Sequence, residues 1–150
     1  KSCLTAYEYL CRIGEAKEWI EDCIQEEIPS IFKLEENLRN GIILAKLSNW
    51  ILPEAAKKIY YGNKLQFRHS DNINHYLSTL RTIGLPITFW FELTDLYDKK
   101  NIPKVIHSIH ALSHFLARRN MAPCIKDLAG KLEFTSKSVN DNIIIVYFYM

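Results

Sequence analysis

The chain has little of what marks specialised chemistry. Among its 150 residues glycine and proline number five each, too few for a fibrous or low-complexity chain. Its four cysteines, Cys3, Cys11, Cys23 and Cys124, form no C-x-x-C pair and no regular framework, so neither a zinc ribbon nor a dithiol redox motif is expected. No apolar run exceeds the eight residues from Ile143 to Met150, against the ~18 that a membrane-spanning helix needs. The formal net charge is only +2, without the strong basic excess of a nucleic-acid binder. There is no glycine-rich phosphate loop, no G-x-S-x-G and no H-E-x-x-H, so an enzyme, a cofactor and a metal centre are not expected. No leader is visible, which points to the cytosol. The chain starts at Lys1 rather than Met, which reads as a piece of a longer protein.

What is present is a good core composition. Hydrophobic residues make up 48% and aromatics 12%, and a chain of this length buries enough surface to fold without disulfides or metals. Cys11 and Cys23 fall at apolar helical positions and read as reduced, buried thiols; a single disulfide is the alternative.

The periodicity is helical almost throughout. Leu4, Tyr7, Leu10 and Cys11 share one helix face, and Ala16, Trp19, Ile20, Cys23 and Ile24 continue it over residues 15–27, with Pro29 as the expected stop. Residues 34–52 read as one long helix, apolar on most of its circumference and hence central, closed by Pro53. Trp19 and Trp50 both read as core. Residues 54–70 read as a loop with one weak helical turn. Ser70 or Asp71 is the expected cap of a helix carrying Ile73, Tyr76, Leu77, Leu80 and Ile83, ended by Gly84. Residues 89–97 suggest a short aromatic helix. Pro103 opens a last long helix running to about Asn120. The expected class is all-α, with four main helices and shorter ones between. The domain is expected over 1–136, its core over about 4–120, followed by a tail at 137–150. The apolar end could be a strand or a loose terminus.

Charge is unevenly spread. Residues 8–36 hold nine acids and three bases, a net −6, and residues 99–131 hold seven bases and one acid, a net +6. Such a dipole can steer an acidic partner, or the two stretches can attract each other within the fold. Lys99, Lys100 and Lys104 sit where the last helix begins, where cations are disfavoured by the helix dipole, which suggests a binding role; Arg118 and Arg119 at its exit suit the dipole. His107, His110 and His114 lie on one side of the same helix. Three side chains spread over two turns of one helix do not converge on one ion. A polar seam or a partner-facing surface, responsive to pH near 6–7, is the better reading.

Four stretches in order carry a family resemblance: residues 6–24 (AYEYLCRIGEAKEWIEDCI), 34–51 (LEENLRNGIILAKLSNWI), 67–86 (FRHSDNINHYLSTLRTIGLP) and 94–116 (TDLYDKKNIPKVIHSIHALSHFL), with DLAGKLEFT at 127–135 following. Together they resemble the single calponin homology domain of the IQGAP scaffolds, with wording close to a fungal member. The resemblance implies a non-catalytic, cofactor-free helical domain that binds F-actin, monomeric when isolated, in cytoplasmic scaffolds of the cortex and contractile ring. It also implies contacts through residues 6–12 and 99–119. The second region coincides with Lys99, Lys100, Lys104, Arg118 and Arg119, with the three histidines as secondary candidates. The alternative is a regulatory adaptor for calmodulin or another cytoskeletal partner, and a third is a microtubule binder. After Thr135 the sequence departs from the family's pattern, ending in apolar residues where a charged helix is expected.

Overall fold

A glycine decides the course of the chain at residue 41. The computed structural model describes residues 3–128, with the side chains of 6–31 and 33–128, and the backbone of 132–139 and 142–149. In it the apolar stretch 34–52 is two helices, α2 (Leu34–Arg39) and α3 (Ile42–Ile51), not one. Gly41 between them has φ +68°, and a Cβ there would stand 2.6 Å from Asn72 Cβ and 2.7 Å from the Ile73 nitrogen. The bend therefore needs glycine twice over, for its dihedral and for the space. The Asn40 side chain accepts from the Ile42 N–H, the first of the new helix, at 3.0 Å. The break re-aims the second half, so Trp50 emerges 38% exposed and is not core.

Before this pair, α1 (Cys3–Ile24) is one continuous helix. It stops at Gln25, which takes φ +55°, four residues ahead of the expected Pro29. The Glu21 carboxylate accepts from the Ile28 N–H at 2.7 Å and turns the chain back. After the 54–66 loop comes α4 (Ser70–Ile83). Neither Ser70 nor Asp71 caps it. A preceding 3-10 turn (Phe67–His69) leads in, closed by a reciprocal pairing of Gln66 and the buried His69. Gly84, at φ +85°, ends α4 as its sequence suggests. The short α5 (Leu93–Tyr97) and long α6 (Ile102–Arg118) complete the bundle, with Asn101 capping α6 by accepting from the Lys104 N–H.

Helix α3 packs on α4, and α1 packs on both α3 and α6. Trp19, Ile20, Leu44, Leu47, Tyr76, Leu80, Leu96 and Leu112 form the centre, each 2% exposed or less. Each such large apolar side chain contributes about 1.5–3 kcal/mol relative to exposure. Tyr76 stacks on Phe91, with centroids 5.9 Å apart. Its phenol is raised above its ordinary pKa by burial. Cys11 and Cys23 are free and buried, as read from the pattern; burial pushes the Cys23 thiol up to about 12. Cys124 is free and exposed. The Cys3 thiol lies outside the described side chains.

Past α6 the chain folds back along α1. The Trp19 indole N–H donates to Pro123 O at 3.0 Å, and the Leu128 N–H donates to the Glu15 carboxylate at 2.7 Å. Helices are the regular structure of the described residues up to 128. Beyond them, β1 (Leu132–Val139) and β2 (Asn142–Tyr149) pair antiparallel, Leu132 opposite Tyr149 and Val139 opposite Asn142. The apolar end thus takes the strand reading in its backbone; its side chains lie outside those described.

Candidate binding surface around the last helix

Helix α6 presents one face inward and carries its polar groups outward. Val105, Ile106, Ile109, Leu112 and Leu116 are all buried. The five candidate cations and the three histidines lie on the rest of the helix, at its ends and in the turn before it, and they form two groups. At ~1.5 Å per residue the 17-residue helix is about 25 Å long, so the entry lysines and the exit arginines stand near its opposite ends.

The first group sits at the start. Lys99 takes φ +56° in the turn between α5 and α6. Its ammonium pairs with Glu36 of α2, and this contact, before any other, holds the Glu36 carboxyl below its usual range. Lys104 pairs with Asp95 at 3.7 Å. Two of the three lysines therefore have partners within the fold, which offsets the unfavourable dipole at this helix end. Lys100 is exposed and makes no such pair among the described residues. Both readings of the charge dipole meet here. Lys99 with Glu36, and Lys126 with Glu18 at 3.3 Å, join the basic stretch to the acidic one. Among the described residues of the basic stretch, Lys100 and Arg118 form no such bridge to the acidic one.

The second group lines a groove of about 450 Å³ between α6 and the turn after α4. Its floor is Leu85, Pro86, Phe89, Ala111 and Phe115, and its rim holds His107, His110, His114, Arg118 and Arg119. The Arg119 guanidinium lies 3.6 Å from the centroid of the Phe115 ring, while Arg118 is exposed. His107 leans on Phe89, with centroids 6.1 Å apart. His110 differs from its neighbours. It is half-buried, with Nε2 2.8 Å from Arg12 O of α1 and 3.8 Å from Glu15. Burial holds its pKa below the ordinary imidazole value, outweighing the opposite pull of the Arg12 carbonyl and Glu15. At this member the arrangement is that of a polar seam, a tie between α6 and α1. Through it, the 6–12 stretch of α1 adjoins the middle of the groove.

Among the described residues no three His, Cys, Asp or Glu side chains are placed to hold a metal ion. No described helix is long and apolar enough to cross a membrane.

Reading the sequence alone missed a second, aromatic surface, on the loop before α4. Phe67 is 72% exposed and packs edge-on against Tyr97 at 6.1 Å, two residues before Lys99. Only the four bases of residues 57–68 hinted at a surface there.

A helical bundle with exposed cations and aromatics around its last helix is the form of a protein-interaction module. Residues 10–118 match the calponin homology (CH) domain, and the chain belongs to that family. It is 52% identical over 145 residues to the human Ras GTPase-activating-like protein IQGAP3, covering 91% of this chain. It is 50% identical over 137 residues to the Ras GTPase-activating-like protein rng2 of Schizosaccharomyces pombe, again covering 91% of this chain. The chain spans only 9% of the length of either relative. The crystal structure of the calponin homology domain of Rng2 from S. pombe superposes with a TM-score of 0.85 at 51% identity, covering 88% of this chain and 83% of that one. The domain is thus of the IQGAP kind, and fungal members are among its relatives.

Proposed function

We propose that this chain is the F-actin-binding, non-catalytic module of a cytoplasmic scaffold acting at the actin cortex or contractile ring. The observation that carries the reading is membership of the calponin homology family at 51% identity to the Rng2 domain. The surface is compatible with it. Among the described residues Lys100 and Arg118, at the two ends of α6, form no ion pair, and Lys99, Lys104 and Arg119 stand beside them. Actin is acidic, so these charges would steer association and make it sensitive to salt. Residence time would come from apolar and aromatic contacts such as the groove floor.

Co-sedimentation with actin filaments, at low and at near-physiological salt, tests this. Saturable pelleting that weakens with salt is expected. A folded chain that stays in the supernatant at both salts would overturn the reading. The calmodulin reading gains nothing from the bundle. Binding a helix in a groove needs a free apolar face, and that of α6 is buried in the core.

A further inference from the structure

The loop between α3 and α4 carries a second exposed surface, outside the residues proposed above for the filament. From residue 57 to residue 70 the chain holds Lys57, Lys58, Lys64 and Arg68 and no acid. All four are exposed, and among the described residues no ion pair neutralises them. Between them stand Tyr61, Leu65 and Phe67, which are 57%, 41% and 72% exposed. These are three of the six large hydrophobics exposed among the described residues, gathered within seven positions.

Their exposure is built, not slack. The buried Asn72 side chain donates to Tyr60 O and accepts from the Tyr60 N–H, both at 2.9 Å, and donates to Asn40 O at 2.8 Å. The buried His69 reaches Gly62 O at 2.9 Å. Asn49 clamps both backbone groups of Ala56, at 2.7 and 3.1 Å. The pins at Tyr60 and Gly62 flank Tyr61, and the Gln66 N–H donating to His69 Nδ1 at 3.1 Å flanks Phe67, so the backbone on either side of both exposed rings is fixed. Cations share the layer with the rings. The Arg68 guanidinium lies 4.6 Å from the Tyr60 centroid, and the Lys46 ammonium 6.0 Å from that of Tyr61.

Free cations alternating with protruding aromatic and aliphatic side chains suit the boundary between water and hydrocarbon. Rings settle at the headgroup level while lysine and arginine stems reach to the phosphates. A protein partner would need a matching pocket for each protruding side chain, whereas a bilayer accepts them without one. We propose that the 57–68 loop docks on anionic lipid bilayers, with Lys57, Lys58, Lys64 and Arg68 on the phosphates and Tyr61 and Phe67 in the interface.

The test is pelleting of the chain with vesicles of phosphatidylcholine alone or mixed with phosphatidylserine, at low and near-physiological salt. Binding that requires phosphatidylserine is expected. The triple variant Lys57→Glu, Lys58→Glu, Lys64→Glu should lose at least about tenfold in partition coefficient, since each basic residue contributes separately near an anionic surface. Phe67→Ser should lose most at the higher salt, where the charges are screened. All four positions are exposed, so circular dichroism should show unchanged helix. Indifference of the parent chain to phosphatidylserine, or equal binding by the triple variant, overturns the proposal. Actin filaments supply the second arm. A triple variant that pellets with filaments like the parent but not with vesicles supports a lipid surface separate from α6. A triple variant that loses filaments, from a parent that ignores vesicles, assigns the loop to the filament and overturns the proposal.

Discussion

Glu15 and Leu128, 113 residues apart in sequence, meet through a 2.7 Å hydrogen bond from the Leu128 N–H to a carboxylate only 1% exposed. The bond holds the segment after α6 against α1, where the Leu128 side chain packs beside Gly14. The same carboxylate also pairs with Arg12. Glu15→Ala should therefore leave a buried donor unpaired and cost about 1–3 kcal/mol. Urea denaturation measures it. A loss below about 0.5 kcal/mol, the size of an ordinary surface change, would show that the segment does not depend on this bond.

Two glycines in left-handed backbone should respond differently to alanine. At Gly84 nothing lies within 4 Å of the added methyl, so only the dihedral is penalised, about 1–2 kcal/mol. At Gly41 the methyl also runs into Asn72 and the Ile73 backbone, and overpacking adds about 1–3 kcal/mol more. Equal melting shifts for Gly41→Ala and Gly84→Ala would contradict the close approach of α4 to the bend.

The tryptophans should separate just as clearly. Trp19 is 2% exposed and hydrogen-bonded to Pro123 O, so Trp19→Ala should cost about 3–5 kcal/mol. Trp50, 38% exposed, should cost clearly less. Chemical denaturation of the two variants side by side decides it.

His110 imposes a pH dependence on stability. Burial lowers its folded pKa below 6.5, so between that value and its lowered one the unfolded chain binds more protons. Its contribution is fully present above about pH 6.5 and is lost as pH falls through the folded pKa. Urea midpoints should drop from pH 7.5 to pH 5.5, and His110→Gln should flatten that slope. An unaltered slope in the variant would remove His110 as its source.

Charge reversal should distinguish the lysines by their partners. Lys100→Glu breaks no ion pair and should weaken filament pelleting at low salt with stability unchanged. Lys99→Glu sets a second acid against Glu36 and should weaken pelleting with a small loss of stability, since an exposed pair is worth about 0–1 kcal/mol. Arg118→Glu tests the other end. Unchanged affinity in all three, with intact helix, would move the filament contact away from the ends of α6.

Helix identity was legible in the sequence because it rests on local signals. The 3.6-residue repeat of Ile73, Tyr76 and Leu80, the Gly84 stop and the Pro103 start each act within a few residues, and the burial of Trp19, Cys11 and Cys23 followed from the same periodicity. The ordered motifs carried the family. Contacts between distant residues decided the rest. Asn72 and Ile73 pressing on Gly41 split an apolar run that looks continuous, and the split turned Trp50 outward. Glu36 and Asp95 engaged two lysines that looked unpartnered. Arg12 O tied His110 to α1, and Asn72 and His69 fixed the backbone on either side of the exposed Tyr61. Periodicity describes one helix at a time, whereas the exposure and pairing of a side chain depend on which other helix arrives against it.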